Sequence, residues 1–227
     1  MEQRRSAIVA PERIRRHWRE PPTHSDRVGS LASVDHALIT ERLVLRPVTA
    51  GDQATLLAHW ALPDVRRFLF DGAALSAAEV AATIEESVRD FAAACYGIWI
   101  ILEQDRHGPA GTALTGTALA GTALTGTALA GTALVGTAGL RPLEDLGLEI
   151  FYSLAPGSWG RGYATEAARA VVDHALGPLG LPEVLAEVDE GNAASVAVIK
   201  RLGMTPFAVV PGVLGPMTRY RKTAEAT

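Results

Sequence analysis

The chain has few of the residues that usually advertise chemistry. Its 227 residues include one cysteine, Cys95, so an internal disulfide and a multi-cysteine zinc site are both excluded. Its histidines show no His-x-x-x-His or His-Glu spacing, and no metal site is expected. Aromatic residues amount to 6%. No apolar run approaches the about 20 residues of a membrane span. The first 22 residues carry charge but no apolar signal-peptide core, which makes a reducing cytoplasm the simplest expectation. Excess charge is also missing. Lys+Arg number 21 against 25 Asp+Glu, a net charge of −4, so nucleic acid is not the default partner. That balance is compatible with a cationic or amine substrate. With 48% hydrophobic residues, the length suits one well-packed domain.

Residues 1–37 read as a tail. Arg4, Arg5, Arg13, Arg15, Arg16 and Arg19 are mixed with Pro11, Pro21 and Pro22, without an apolar period. A disordered extension fits this composition, as does translation from an upstream start; a basic arm for RNA or membrane is the functional alternative. The domain is expected over 38–227. Leu43–Pro47 alternates as a first strand, and Thr49 to Asp52 opens a helix carrying Leu56, Leu57 and Trp60. Pro63 starts a short second helix. Ser76 and Glu79 form a capping-box pattern ahead of Val80, Ile84, Val88, Phe91 and Cys95, one stripe of an amphipathic helix. On that stripe Cys95 is expected to be a core residue. Strands follow at 96–102, 134–140 and 148–154, then a helix over 164–176, a strand at 184–188, a helix capped by Asn192, and strands at 207–210 and 217–222. The order predicts a mixed α/β domain with a meander in the middle and a β-α-β unit near the end.

Between 111 and 135 the pentapeptides GTALT, GTALA, GTALT, GTALA and GTALV follow one another. A period of five suits neither a strand nor a helix. A small β-solenoid is one reading, although the stretch is too short for stacked, capped coils. Expansion of a hairpin by tandem duplication is the other, because a surface hairpin absorbs insertion at small entropic cost.

Trp159-Gly160-Arg161-Gly162-Tyr163-Ala164 is the most informative segment. Its glycines let backbone come close to a ligand, and successive N–H groups entering a helix form an anion-binding concavity. No Gly-Lys-Ser/Thr follows, so this is not a P-loop, and the third glycine of a dinucleotide fingerprint is absent.

Trp159 to Ala167 resembles the coenzyme-A pyrophosphate loop of the GNAT acetyltransferases, in the RimJ/RimL-like subgroup. Thr40 to Pro47, Leu148 to Pro156, Asn192 to Ser195 and Leu202-Gly203-Met204 are similar to motifs of the same subgroup, in the same order. The resemblance implies a splayed, mixed and mostly antiparallel sheet flanked by helices. Acetyl-CoA would serve as co-substrate, bound between strands 148–154 and 183–188. The coenzyme contacts it implies are Tyr152, Ser153, Leu154, Trp159, Gly160, Arg161, Gly162, Tyr163, Ala164, Thr165 and Asn192, with a main-chain N–H near Tyr152 to Leu154 polarising the thioester carbonyl. Trp159 stands where the family often has Gln or Arg. Ile199 stands where it often has a tyrosine near the thiolate. Ser195 is the nearest substitute as proton donor to the departing sulfur, or else only packs in its helix. Glu149 shares a strand face with Phe151 and Ser153 and is the candidate base, acting through water, unless it is an ordinary polar strand residue. Trp60, Arg66, Arg67 and Phe68 fall in the implied acceptor-binding lobe. The implied reaction is acetyl transfer to a primary amine, either a protein N-terminal α-amine or a small amine; an aminoglycoside is another acceptor class. A catalytically silent acyl-CoA sensor is the alternative. The chain is expected to be a monomer or homodimer, without membrane or nucleic-acid partners.

Overall fold

A computed structural model describes residues 36–104 and 134–225. Strands β1 (Leu38–Ile39), β2 (Leu43–Pro47), β3 (Ile98–Glu103), β4 (Leu134–Leu143), β5 (Gly147–Leu154), β6 (Glu183–Asp189), β7 (Thr205–Pro211) and β8 (Pro216–Thr223) form one sheet in the order β1-β2-β3-β4-β5-β6-β8-β7. Every neighbouring pair is antiparallel except β5 and β6. Helices α1 (Gln53–Trp60), α2 (Pro63–Leu69) and α3 (Ala77–Ala94) follow β2, α4 (Tyr163–Leu176) links β5 to β6, and α5 (Ala193–Arg201) follows β6.

Alternation along the strands divides the core in two. On one face Ile98, Ile100 and Leu102 of β3 meet Leu56, Trp60, Val65, Val80 and Ile84 of α1 to α3. On the other, Trp99 and Ile101 join Ile150, Val184, Ala186 and Val188 beneath Ala167, Val171 and Ala175 of α4. β3 is therefore apolar on both faces, as its unbroken Ile-Trp-Ile-Ile-Leu run requires. The capping box at Ser76 is present, with the hydroxyl accepting from the Glu79 amide at 3.2 Å.

Cys95 departs from its expected core position. The helix stops at Ala94, and Cys95 takes left-handed backbone (φ 59°), which leaves it exposed. A spacing of four from Phe91 keeps a residue on the stripe only while the helix continues. Val88, on the same stripe, is also 46% exposed. The tail at 1–37 falls almost wholly outside the described residues, and so does the repeat at 111–135. Of the repeat, Leu134-Val135 lie in β4, which continues through Gly136-Thr137-Ala138.

Candidate active site

β5 leaves the sheet through a 3-10 turn at Pro156–Ser158 and enters α4 through Trp159 to Gly162. Gly160 (φ 71°) and Gly162 (φ 80°) both have left-handed backbone. With glycine as the N-cap of α4 there is no capping side chain, so the first amides of the helix have no partner within it. A Cβ built at Gly160 would meet nothing within 4 Å, and one at Gly162 would meet only Arg42 Nη2, at 3.4 Å. Uncapped amides at the positive end of a 14-residue helix suit a phosphate oxygen.

Residues far away in sequence hold this turn. Glu166, in the first turn of α4, accepts from Thr40 Oγ1 at 2.6 Å, from the Arg42 amide at 2.9 Å and from Arg42 Nε at 2.7 Å. Burial works against its charge, but these hydrogen bonds win and keep its carboxyl below the usual range. Arg42 also donates Nη1 to the Arg161 carbonyl at 2.9 Å. Glu103 takes Arg161 Nη2 at 2.6 Å and the Tyr163 hydroxyl at 2.5 Å. Trp159 anchors its indole N–H on the Leu154 carbonyl at 2.9 Å while its ring stays 51% exposed.

β5 and β6 pair in parallel at one position, Glu149 with Leu185. On its other edge β5 stays paired to β4 all the way to Leu154. Above Glu149 the two parallel strands therefore have no ladder between them, and the gap opens toward the turn at 159–162. A shallow groove of about 470 Å³, lined by Gly191, Ala193, Val196, Ala197 and Lys200, lies along α5.

The side chains of β5 divide between the two faces. Glu149, Phe151 and Ser153 share the face under α1 and α2, as alternation predicts. Glu149 is buried and accepts from Arg141 Nε at 2.6 Å; the Arg141 guanidinium sits 5.3 Å from the centre of the Phe151 ring. Ser153 Oγ lies 2.9 Å from His59 Nε2 and 2.9 Å from Thr137 Oγ1, which takes the Trp60 indole N–H at 3.4 Å. Burial pulls the His59 pKa down to about 4, so its ring is neutral at pH 7. Trp60 is a core residue at 2% exposure, and the exposed Arg67 stacks on Phe68 at 4.9 Å.

Tyr152 points to the opposite face and donates its hydroxyl to the Ser195 carbonyl at 3.4 Å. Burial pushes its pKa up to about 12, so the phenol stays protonated. Asn192 Oδ1 accepts the Ser195 amide at 3.1 Å and so caps α5. Ser195 is half-buried at the start of that helix, and Ile199 is 1% exposed. β6 ends in Asp189, a carboxylate at 7% exposure. Sequence reasoning missed Glu166 and Glu103 as anchors, His59 as a partner of Ser153, and Asp189. The contacts of Glu166, Glu103 and His59 span 58 to 126 residues of chain, and no local pattern signals them.

A parallel strand pair that splits above an uncapped, glycine-led helix defines a mixed α/β domain with a site suited to an anionic ligand. The chain belongs to the acetyltransferase (GNAT) domain family, whose model matches residues 42–205. The FsC-acetyl coenzyme A-N(2)-transacetylase of Aspergillus fumigatus is 44% identical over 85 residues, 34% of this chain and 36% of that protein. The chain spans about a third of the length of the curated relatives it matches. Among solved structures, an acetyltransferase from Agrobacterium tumefaciens superposes with a TM-score of 0.63 at 23% identity, covering 86% of this chain and 98% of that one. The spermidine N-acetyltransferase of Vibrio cholerae, solved with CoA and spermine, superposes with a TM-score of 0.60 at 14% identity over 81% and 96% of the two chains. Among the described residues there is no cluster of three or more side chains suited to hold a metal, and no helix long and apolar enough to cross a membrane.

Proposed function

We propose that the chain moves the acetyl group of acetyl-CoA to a primary amine, either a peptide N-terminal α-amine or a small amine, by direct attack on the thioester. One observation carries the reading: the unpaired gap between β5 and β6 leads straight to the uncapped amides of α4. Those amides, from Gly160 to Thr165, take the pyrophosphate, with Trp159 and Arg161 at the rim. The pantetheine runs along Tyr152, Ser153 and Leu154 and past the cap at Asn192. Ser153 contributes through its main chain, since its hydroxyl is already engaged by His59 and Thr137.

The amine nitrogen forms the new C–N bond as the C–S bond breaks. Glu149, aimed by Arg141, takes the amine proton through water, while the Ser195 hydroxyl donates a hydrogen bond to the departing thiolate, which leaves as such or takes a proton from solvent. Orientation supplies much of the rate, because a neutral amine held against a thioester needs little further help.

Thiol release from acetyl-CoA with N-terminal peptides, polyamines and aminoglycosides tests it. Wild type is expected to turn over with one of these classes. Ser195→Ala and Glu149→Gln are each expected to lose roughly 100-fold in kcat while still binding coenzyme. Binding of acetyl-CoA with no thiol released by any amine would overturn the transferase reading in favour of a sensor.

A further inference from the structure

We propose that Asp189, supported by Asp71, seats an ammonium group of the acceptor, so that the acceptor carries a second cationic amine besides the one that is acetylated. This rests on the transferase reading above and adds the acceptor's chemical class.

The direction of Asp189 follows from alternation. Val184, Ala186 and Val188 face the α4 side of the core, so Leu185, Glu187 and Asp189 face the other side. That is the side of Glu149 and Phe151, toward which α2 lies. Asp189 is at the open end of the β5–β6 gap, three residues before the Asn192 cap.

Asp189 is also unfinished there. It is 7% exposed, and its Oδ1 is buried with no hydrogen-bond partner. A buried carboxylate normally has a cation or several donors. The neighbouring acids on this face are already served. Arg141 binds Glu149 at 2.6 Å, and Arg219 binds Glu187 at 2.6 Å while reaching Glu144 at 3.1 Å. Neither Asp189 nor Asp71 forms an ion pair with a basic side chain among the described residues. Asp71 sits in the turn after α2 with left-handed backbone (φ 53°). Burial first, and then the charge of Asp71, push the Asp189 carboxyl above its usual range; the charge of Arg141 reaches Asp71, but its guanidinium is bound to Glu149.

The group that fits is an ammonium that does not react. An attacking amine must be neutral, and two carboxylates around it would hold its proton and oppose attack. A second amine on the acceptor gains from the same field. It supplies the missing donor to Oδ1, and its charge balances the pair.

The test compares 1,4-diaminobutane with 4-amino-1-butanol, which replaces the second ammonium by a hydroxyl at the same length. Wild type should favour the diamine by at least about tenfold in kcat/KM, mainly through KM. In Asp189→Asn that preference should fall toward one, with calorimetric affinity for CoA unchanged. Asp71→Asn should lower it less, and decides the matter if the first variant does not fold. Equal use of both amines by wild type, or a preference that survives in both variants, overturns the assignment. Turnover of N-terminal peptides but of neither amine also overturns it, while leaving the transferase reading intact. Coenzyme binding without turnover of any acceptor removes both.

Discussion

His59 gives the polar chain beneath β5 a pH signature that can be measured. Its ring is buried at 4% exposure, and Ser153 Oγ is 2.9 Å from Nε2. Burial lowers its pKa from 6.5 to about 4. The unfolded chain therefore takes up the proton first as pH falls. The stability tied to a neutral His59 is fully present above the unfolded pKa and is lost progressively as pH falls from there toward 4. Between pH 7.5 and 5 the linkage amounts to about 2 kcal/mol. Glu187 and Asp189 act in the opposite sense, because burial raises their carboxyl pKa values. A difference measurement removes them. His59→Gln keeps a neutral hydrogen-bonding side chain that does not titrate. Urea unfolding of both proteins at pH 7.5 and pH 5 should show wild type losing about 2 kcal/mol more than the variant. Nuclear magnetic resonance of the imidazole should place its midpoint near 4. Equal losses in the two proteins, or a midpoint near the unperturbed value, would refute the reasoning.

Other substitutions test other parts of the frame. Glu166→Gln removes the charge that gathers Thr40 and Arg42, and should cost about 1–3 kcal/mol in urea unfolding and weaken coenzyme binding roughly tenfold by calorimetry. Gly136→Ala would put a Cβ 2.0 Å from the Ser153 carbonyl oxygen, so β4 and β5 must part; a loss of about 3 kcal/mol or more is expected, read as a fall in Tm. Ser76→Ala deletes the cap of α3 and should cost about 1 kcal/mol without changing kcat/KM.

How much was readable in advance depended on the range of the forces involved. The β5 segment alternates, so Glu149, Phe151 and Ser153 were placed on one face from sequence, and the helix after Gly162 announced itself by its glycines. Local signals end where tertiary ones begin. Nothing near Cys95 shows that the chain turns left-handed there. Ser153 lies on the segment implied to line the coenzyme, yet its hydroxyl belongs to His59, 94 residues earlier. The resemblance located the turn at 159–164 from its own residues; what holds it, Thr40, Arg42 and Glu103, comes from chain at the start of the sheet and in its middle. Asp189 lies just past the strand expected at 184–188 and carries no local signal; only the packed sheet shows its Oδ1 buried without a donor.

On the proposed reading, donor and acceptor are served by different parts of one sheet. Glu103 and Arg42 steady the coenzyme turn from β3 and the lead into β2. Asp71 and Asp189 shape the far side of the gap, from the turn after α2 and the end of β6. If the two sets are independent, Glu103→Gln should raise KM for acetyl-CoA and leave that for the amine, and Asp71→Asn should do the reverse. Effects at separate sites add within about 0.5 kcal/mol, so the double variant should match the product of the single effects to within roughly twofold. A larger departure would mean that β5, which borders both, transmits strain from one side of the gap to the other.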